Sequence, residues 1–135
     1  MSLNTNIQDI RKLKSVLFSL RLKYDNIKDE SIKADVKSII QIGDKVYAEL
    51  IKNNDKTFSA NRFICSYLPT IDSIIGKYND LIQNGIKSEE SLSLQTKITE
   101  TLPEIKKSLN KYYNTMFTSE ILDVDVDLEA LLKLI

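Results

Sequence analysis

The chain has 135 residues, of which 28% are charged, and its 19 basic residues are balanced by 19 acidic ones. A chain of this length can bury the core of one domain, and its zero formal net charge argues against a nucleic-acid binder and against membrane binding by charge alone. Three glycines and two prolines provide few turns for a β-sandwich or barrel, so the long intervals between them favour helices.

The single cysteine, the short apolar runs and the absence of histidine limit where the protein can be located and which reactions it can catalyse. One cysteine cannot form an internal disulfide, no apolar run approaches the roughly 18 residues of a membrane span, and the first nine residues lack a signal-peptide core. We therefore expect a cytoplasmic protein with at most peripheral contact at the inner face of the membrane. The absence of histidine removes the usual general base and the commonest metal ligand, so no catalytic residue, metal site or cofactor is predicted.

The first segment predicts a helix over residues 4–26, because its apolar residues recur at spacings of three and four. Basic residues occupy its other faces. A solvated helix face is the simpler interpretation, and contact with an anionic membrane or an acidic partner is the functional one. The candidate partner-binding residues are Lys12, Lys14, Arg21 and Lys23.

A second helix is predicted over residues 28–52, with acidic residues near its start. Gly43 falls on its apolar stripe, where a glycine costs about 1 kcal/mol of helix propensity and most often permits close packing. A single long bent helix across the junction is the alternative.

The most apolar long helix is predicted over residues 58–84, with Pro69 in its middle. Because the apolar stripe keeps its register across the proline, a kinked helix is favoured over a break. Asn84-Gly85 is typical of a left-handed helix cap.

A fourth helix is predicted to begin after Ser88, with Glu89 and Glu90 in its first turn. Its apolar stripe continues across Pro103, which favours a second kink. The alternative is a restart at Thr101, which forms a capping-box pattern with Glu104.

Beyond residue 117, apolar and acidic residues alternate over 121–127, which predicts an extended segment along the bundle and a short terminal helix capped by Asp127. A calcium loop is excluded, because Leu128 and Leu134 occupy the positions of its glycine and its bidentate glutamate. Cys65 lies among apolar residues without a histidine to activate it, so we expect a small buried side chain.

Several segments together resemble the 5-bromo-4-chloroindolyl phosphate hydrolysis (XpaC-like) family over residues 32–134. They are Asp44-Lys45-Val46-Tyr47, Arg62-Phe63-Ile64, Tyr67-Leu68-Pro69-Thr70, Ile74 to Tyr78, and the closing Ile121 to Leu131. The motif residues expected to be structural are Tyr67, Leu68, Pro69, Thr70, Tyr78, Asp123 and Asp125. The resemblance implies an association with TelA-type toxic-anion (tellurite) resistance proteins in bacteria, and it carries no established catalytic residues.

The sequence thus predicts one all-α domain over 1–135, an elongated bundle of three to four long kinked helices with a short C-terminal helix. Residues 1–26 and 118–135 could act as arms. The leading function is a non-catalytic interaction domain that acts with a tellurite-resistance or envelope-stress system. The alternative is a phosphate-ester hydrolase or its accessory, which would gather several acids with a Lys or Arg in a cleft near Pro69 or Pro103. A third interpretation, a self-associating coiled-coil spacer, predicts a dimer.

Overall fold

The chain is all-α in the computed structural model, which describes the backbone of residues 3–53, 57 and 59–134 and the side chains of 6–53, 57, 59–116 and 125–134. Its helices are α1 (Leu3–Asp25), α2 (Glu30–Lys52), α3 (Leu68–Gln83) and α4 (Glu89–Leu134), and a π-helical turn (Phe63–Tyr67) leads directly into α3. Within these described ranges the backbone forms no strand. The all-α bundle predicted from the sequence is confirmed.

The junction between α1 and α2 is a true helix boundary. Asp29 is the N-cap of α2, and its carboxylate accepts a hydrogen bond from the backbone N–H of Ile32 at 2.9 Å. Ile27 turns inward between the two helices and is buried. Such capping satisfies an N–H that would otherwise be unpaired, so two helices form here and the single bent helix is excluded.

The core lies where α1 packs on α2 and α3, and where α2 packs on α4. At the seam between α1 and α2, a Cβ added to Gly43 would lie 2.5 Å from Cδ2 of the buried Leu17. Gly43 therefore permits close packing, as the sequence predicts. The largest fully buried side chains are Phe63, Leu13, Leu20, Ile32, Ile39, Leu50, Ile64, Leu68, Ile75, Leu102, Val36 and Val46.

The helical backbone continues across Pro69, but it does so through the π-helical turn, which the sequence pattern does not predict. The N–H of Leu68 bonds to the carbonyl of Phe63, five residues back, and Pro69 falls in the first turn of α3. A proline in an α-helix would crowd the carbonyl four residues back, and the wider turn relieves that crowding. The apolar stripe keeps its register as a result.

A left-handed glycine and a serine cap delimit the turn from α3 to α4. Gly85 has a φ of 63°, and the N–H groups of Gly85 and Ile86 bond to the carbonyls of Ile82 and Leu81, which is the Schellman arrangement. The Ser88 hydroxyl accepts a hydrogen bond from the N–H of Ser91 at 3.1 Å. The predicted cap and the predicted start of the fourth helix are confirmed.

Helix α4 is continuous across Pro103 and extends to Leu134. Thr101 donates its hydroxyl to the carbonyl of Lys97 at 2.6 Å instead of capping a new helix, so the restart at Thr101 does not occur. The predicted extended segment over 121–127 is wrong, as is the separate terminal helix capped by Asp127. The apolar residues Leu128, Leu131 and Leu132 recur at helical spacing, and this pattern continues the preceding helix.

Candidate functional site

A groove opens between α3 and α4, which make few close backbone contacts with one another. Its larger part has a volume of about 590 Å³. One wall comes from the π-helical turn and α3, and the other comes from α4. The lining residues are Ser66, Tyr67, Thr70, Ile71, Ile74, Glu104, Ile105, Ser108, Leu109 and Tyr112.

The groove continues along α4 into an apolar channel of about 230 Å³, which shares Ile74 and Ile105 with the larger part. The remaining lining residues are Lys77, Leu94, Lys97, Ile98, Thr101 and Leu102. Both lysines are exposed, whereas Ile98 and Leu102 are buried. The channel therefore has an apolar floor with a lysine on each wall. We call the two parts together the α3/α4 groove.

An aromatic cluster lies at one end of the α3/α4 groove. The Tyr112 ring stacks on Phe63 with ring centroids 6.3 Å apart and meets Tyr67 edge-on at 6.0 Å. Its hydroxyl donates a hydrogen bond to the carbonyl of Ser59. Burial raises the pKa of Tyr112, with a smaller contribution from Tyr67 and an opposing one from Arg62. Tyr112 is therefore a neutral phenol near neutral pH, and it fixes α4 to the π-helical turn.

A second groove lies between α2 and α4 beside Pro103, with a volume of about 590 Å³. Three lysines line it, one of which is already paired: Lys106 Nζ lies 3.1 Å from Oδ1 of the buried Asp35. Lys45 lies 5.8 Å from the ring centroid of Tyr113. The full lining is Ser38, Gln41, Ile42, Lys45, Pro103, Glu104, Lys106, Lys107 and Asn110. We call this the lysine groove.

The cleft expected of a hydrolase would gather several acids with a cation. The described lining of each groove includes one acid, Glu104, which the two grooves share, and the cations of the lysine groove are in excess over it. No group of three or more His, Cys, Asp or Glu side chains within the described residues could hold a metal ion.

The four basic residues predicted to bind a partner have different environments. Lys12 and Lys14 are exposed on α1. Arg21 is also on the surface, where its guanidinium pairs with Asp44. Lys23 is partly buried and pairs with Asp72 of α3 at 3.0 Å. The structure thus spreads this set over two ion pairs and an exposed face, and whether any of it binds a partner stays a prediction.

The Lys23 contact belongs to a polar junction between α1 and α3 that sequence reasoning missed. Ser19 donates to the carboxylate of Asp72 at 3.0 Å, and Lys23 Nζ also donates to the backbone carbonyl of Asp72 at 3.1 Å. A Cβ added to Gly76 would lie 3.1 Å from Cε of Lys23. Gly76, which lies in the quoted family motif, therefore leaves room for the lysine to cross α3.

The motif residues divide between the core and the α3/α4 groove. Leu68 and Tyr78 are buried, and burial together with Asp29 raises the pKa of Tyr78. Tyr67 and Thr70 line the groove, and Thr70 donates to the carbonyl of Ser66 at 2.7 Å. Pro69 is half-buried and Asp125 is exposed, while the side chain of Asp123 lies outside the described residues.

The prediction that Cys65 is buried is wrong, because its side chain is exposed. Phe63 and Ile64 of the π-helical turn are buried, and the next buried residue along the chain is Leu68. Cys65 therefore lies between the buried positions and faces outward. Cys65 instead accepts a hydrogen bond from Nδ2 of Asn61 at 3.6 Å, and its sulfur lies 3.9 Å from a carboxylate oxygen of Asp9.

The fold and these grooves define a helical bundle in which, among the described residues, the seam between α3 and α4 is open. A family model described as 5-bromo-4-chloroindolyl phosphate hydrolysis protein matches residues 7–131, and the chain belongs to that family. No curated protein and no solved structure matches the chain. Among the described helices, none combines the length and the hydropathy needed to cross a bilayer.

Proposed function

We propose that this protein is a non-catalytic helical interaction domain whose α3/α4 groove receives an acidic amphipathic helix of a protein partner. The observation that carries the proposal is the apolar channel with Lys77 and Lys97 on its two walls. A helix that lays an apolar stripe into such a groove buries its anchors at spacings of three and four, and acids beside the stripe meet the lysines.

The partner we propose is a TelA-type toxic-anion resistance protein, so that the domain acts in a tellurite-resistance or envelope-stress system of a bacterial cytoplasm. The support for this partner is the family to which the chain belongs and the association that the motif resemblance implies. Lys12 and Lys14 on the exposed face of α1 are a second surface that such a partner could touch.

The test measures binding of the purified chain to a purified TelA-type protein by biolayer interferometry. Leu94→Glu places a charge in the apolar channel at a side chain that is 44% exposed, so the fold should tolerate it. Leu22→Glu is the matched control, because Leu22 is 55% exposed on α1 and lines no part of the groove. We expect wild type and Leu22→Glu to bind and Leu94→Glu to bind at least about tenfold more weakly, a loss of about 1.4 kcal/mol.

Failure of wild type to bind would overturn the proposed partner. Equal binding by Leu94→Glu and wild type would overturn the groove as its site. A Lys12→Glu/Lys14→Glu variant then distinguishes the α1 face, because loss of binding in that variant alone would move the site to α1.

A second candidate function is phosphate-ester hydrolysis, directly or as an accessory. Family membership favours it, and so does the lysine groove, where Lys45 and Lys107 could hold a phosphate by charge. The test is hydrolysis of 5-bromo-4-chloroindolyl phosphate by the purified chain, with and without divalent metals. Turnover that is lost in Lys45→Ala/Lys107→Ala would overturn the non-catalytic proposal, and absence of turnover would exclude direct hydrolysis.

A further inference from the structure

The last ten described residues of α4 form a helical end whose side chains are all exposed. Residues 125–134 are helical, and every one of them is exposed. The segment includes large apolar side chains that are half-exposed or more: Val126, Leu128, Leu131, Leu132 and Leu134. An isolated helix of this length is marginal in water, because most helical stability comes from packing of an apolar face. We call this segment the α4 end.

The α4 end combines an apolar face with acidic side chains, which complement the apolar floor and the lysines of the α3/α4 groove. Leu128, Leu131 and Leu132 lie on one face at spacings of three and four. The acids Asp125, Asp127 and Glu129 flank that face on both sides, since each residue advances about 100° around the helix. The chain itself thus carries an acidic amphipathic helix of the kind for which the groove has an apolar floor and lysine walls.

The two surfaces also match in length. The channel follows α4 from Leu94 to Ile105, which corresponds to about 18 Å at 1.5 Å per residue, and the α4 end spans about 15 Å. Helix α4 has 46 residues, against 23 each in α1 and α2. Its end therefore lies beyond the part of the helix that packs on α2, where a second molecule can reach it.

We propose that two copies of the chain associate with the α4 end of each copy seated in the α3/α4 groove of the other. Both contacts form together when the two α4 helices run antiparallel about a two-fold axis near their middle. Such an isologous arrangement closes at a dimer and uses the same contact twice. The contact buries the exposed leucines and places acids beside Lys77 and Lys97. The inference rests on the proposed role of the groove and names a second copy as one occupant.

The test uses the full chain in sedimentation velocity over a range of concentrations, with circular dichroism to check folding. Variant one reverses the groove charges (Lys77→Glu/Lys97→Glu), and variant two reverses the charges of the α4 end (Asp125→Lys/Asp127→Lys/Glu129→Lys). All five side chains are exposed, so the fold should survive. Each variant alone should dimerise at least about tenfold more weakly than wild type, because its groove and its helical end then carry like charges.

An equimolar mixture of the two variants should recover a dimer. In the mixed dimer, the acidic groove of variant one meets the basic helical end of variant two. The basic groove of variant two meets the acidic helical end of variant one, so both contacts join opposite charges. Wild type that stays monomeric at every concentration would overturn the proposal. A dimer that neither variant weakens, or a mixture that stays monomeric, would also overturn it.

One further variant separates this inference from the proposed function. Leu128→Asp/Leu131→Asp should abolish the dimer but leave the groove intact, so binding of a TelA-type protein should persist or strengthen. If that protein fails to bind wild type and this variant alike while the dimer forms, the proposed partner is wrong and the dimer stands. If it binds both equally and wild type is monomeric, the dimer is wrong and the groove proposal stands.

Discussion

Two seams of the bundle are built from similar apolar stripes, yet one is closed and the other is open. Between α1 and α2, Gly43 admits the buried Leu17 and the helices meet closely. Between α3 and α4, the cluster of Tyr112, Phe63 and Tyr67 occupies one end and a groove of about 590 Å³ remains. An apolar stripe at helical spacing thus marks a helix face that packs against another surface, but the stripe alone does not show whether that packing closes the seam or leaves a groove.

The largest effect is expected at the closed seam. Leu17→Ala should lower the free energy of unfolding by about 2–5 kcal/mol, because Leu17 is 2% exposed. Gly43→Ala should destabilise wild type by crowding Leu17, but it should stabilise the Leu17→Ala variant by up to about 1 kcal/mol, since alanine is the better helix former. Urea denaturation of wild type, the two single variants and the double variant measures this double-mutant cycle. The same sign in both backgrounds would contradict the close contact.

The next effect concerns the contact of α1 with α3. Asp72→Ala should cost about 2 kcal/mol, because it removes the partly buried carboxylate that accepts from Ser19 and pairs with Lys23. The matched control is Asp44→Ala, which breaks the Arg21 pair on the surface and should cost less than about 0.5 kcal/mol. Thermal unfolding of both variants measures the difference. Equal losses would show that the polar junction adds nothing beyond a surface pair.

The third prediction concerns Tyr112, at the edge of the open seam, whose contribution to the free energy of unfolding should fall at alkaline pH. Tyr112→Phe removes the hydrogen bond to Ser59 and should cost about 1 kcal/mol at neutral pH. In wild type the folded-state pKa of Tyr112 is raised above 10.0. Its contribution is therefore complete below the unfolded pKa and is lost as pH rises above 10.0 through the folded pKa.

Urea denaturation between about pH 8 and about pH 11 checks this pH dependence. Wild type should lose more stability than Tyr112→Phe over that interval, because the variant lacks this phenol, whereas Tyr78, whose pKa is also raised, is present in both chains. Parallel curves for the two chains would contradict the burial of the Tyr112 phenol.

The smallest effect is expected inside the open seam. Leu94→Ser should change the free energy of unfolding by no more than about 0.5 kcal/mol in the monomer, because Leu94 is 44% exposed. Leu102→Ala, in the same channel but 1% exposed, should cost about 2–5 kcal/mol. Denaturation at low protein concentration compares the two. A large loss in Leu94→Ser would mean that the seam is covered within one chain.

Most of the fold follows from spacing and caps that are visible in the sequence. Apolar stripes with spacings of three and four residues place α1, α2 and the start of α4 close to their observed positions, and Gly85 marks the end of α3. The π-helical turn was not predictable in this way, because the stripe fits both an α-helix and a wider turn, and the proline suggests only that the helix is perturbed. The alternation of apolar and acidic residues over 121–127 led to a wrong prediction of an extended segment. A stretch of seven residues is too short to distinguish a strand from a helix with acids on its flanks.

The candidate site was less predictable than the fold. The α3/α4 groove depends on which pair of helices stays apart, and each stripe alone is the same whether it is covered or open. Lys23 and Arg21 fit the description of a basic face, yet long-range partners, Asp72 and Asp44, bind them. Tyr67 and Thr70 were identified through the motif, but their position on the groove wall required the packed structure.

The π-helical turn is also a place where a change in chain length by one residue would leave the direction of α3 unchanged. Its hydrogen bond spans five residues where an α-helix spans four, so it accommodates one additional residue while the helix on either side keeps its direction. Deleting Cys65 or Ser66 would return this turn to ordinary α-helical length and leave α3 facing α1. The same deletion would press Pro69 against a regular helical turn, at a cost of about 3 kcal/mol. A deletion within α3 itself would instead rotate every later side chain of the helix by about 100°.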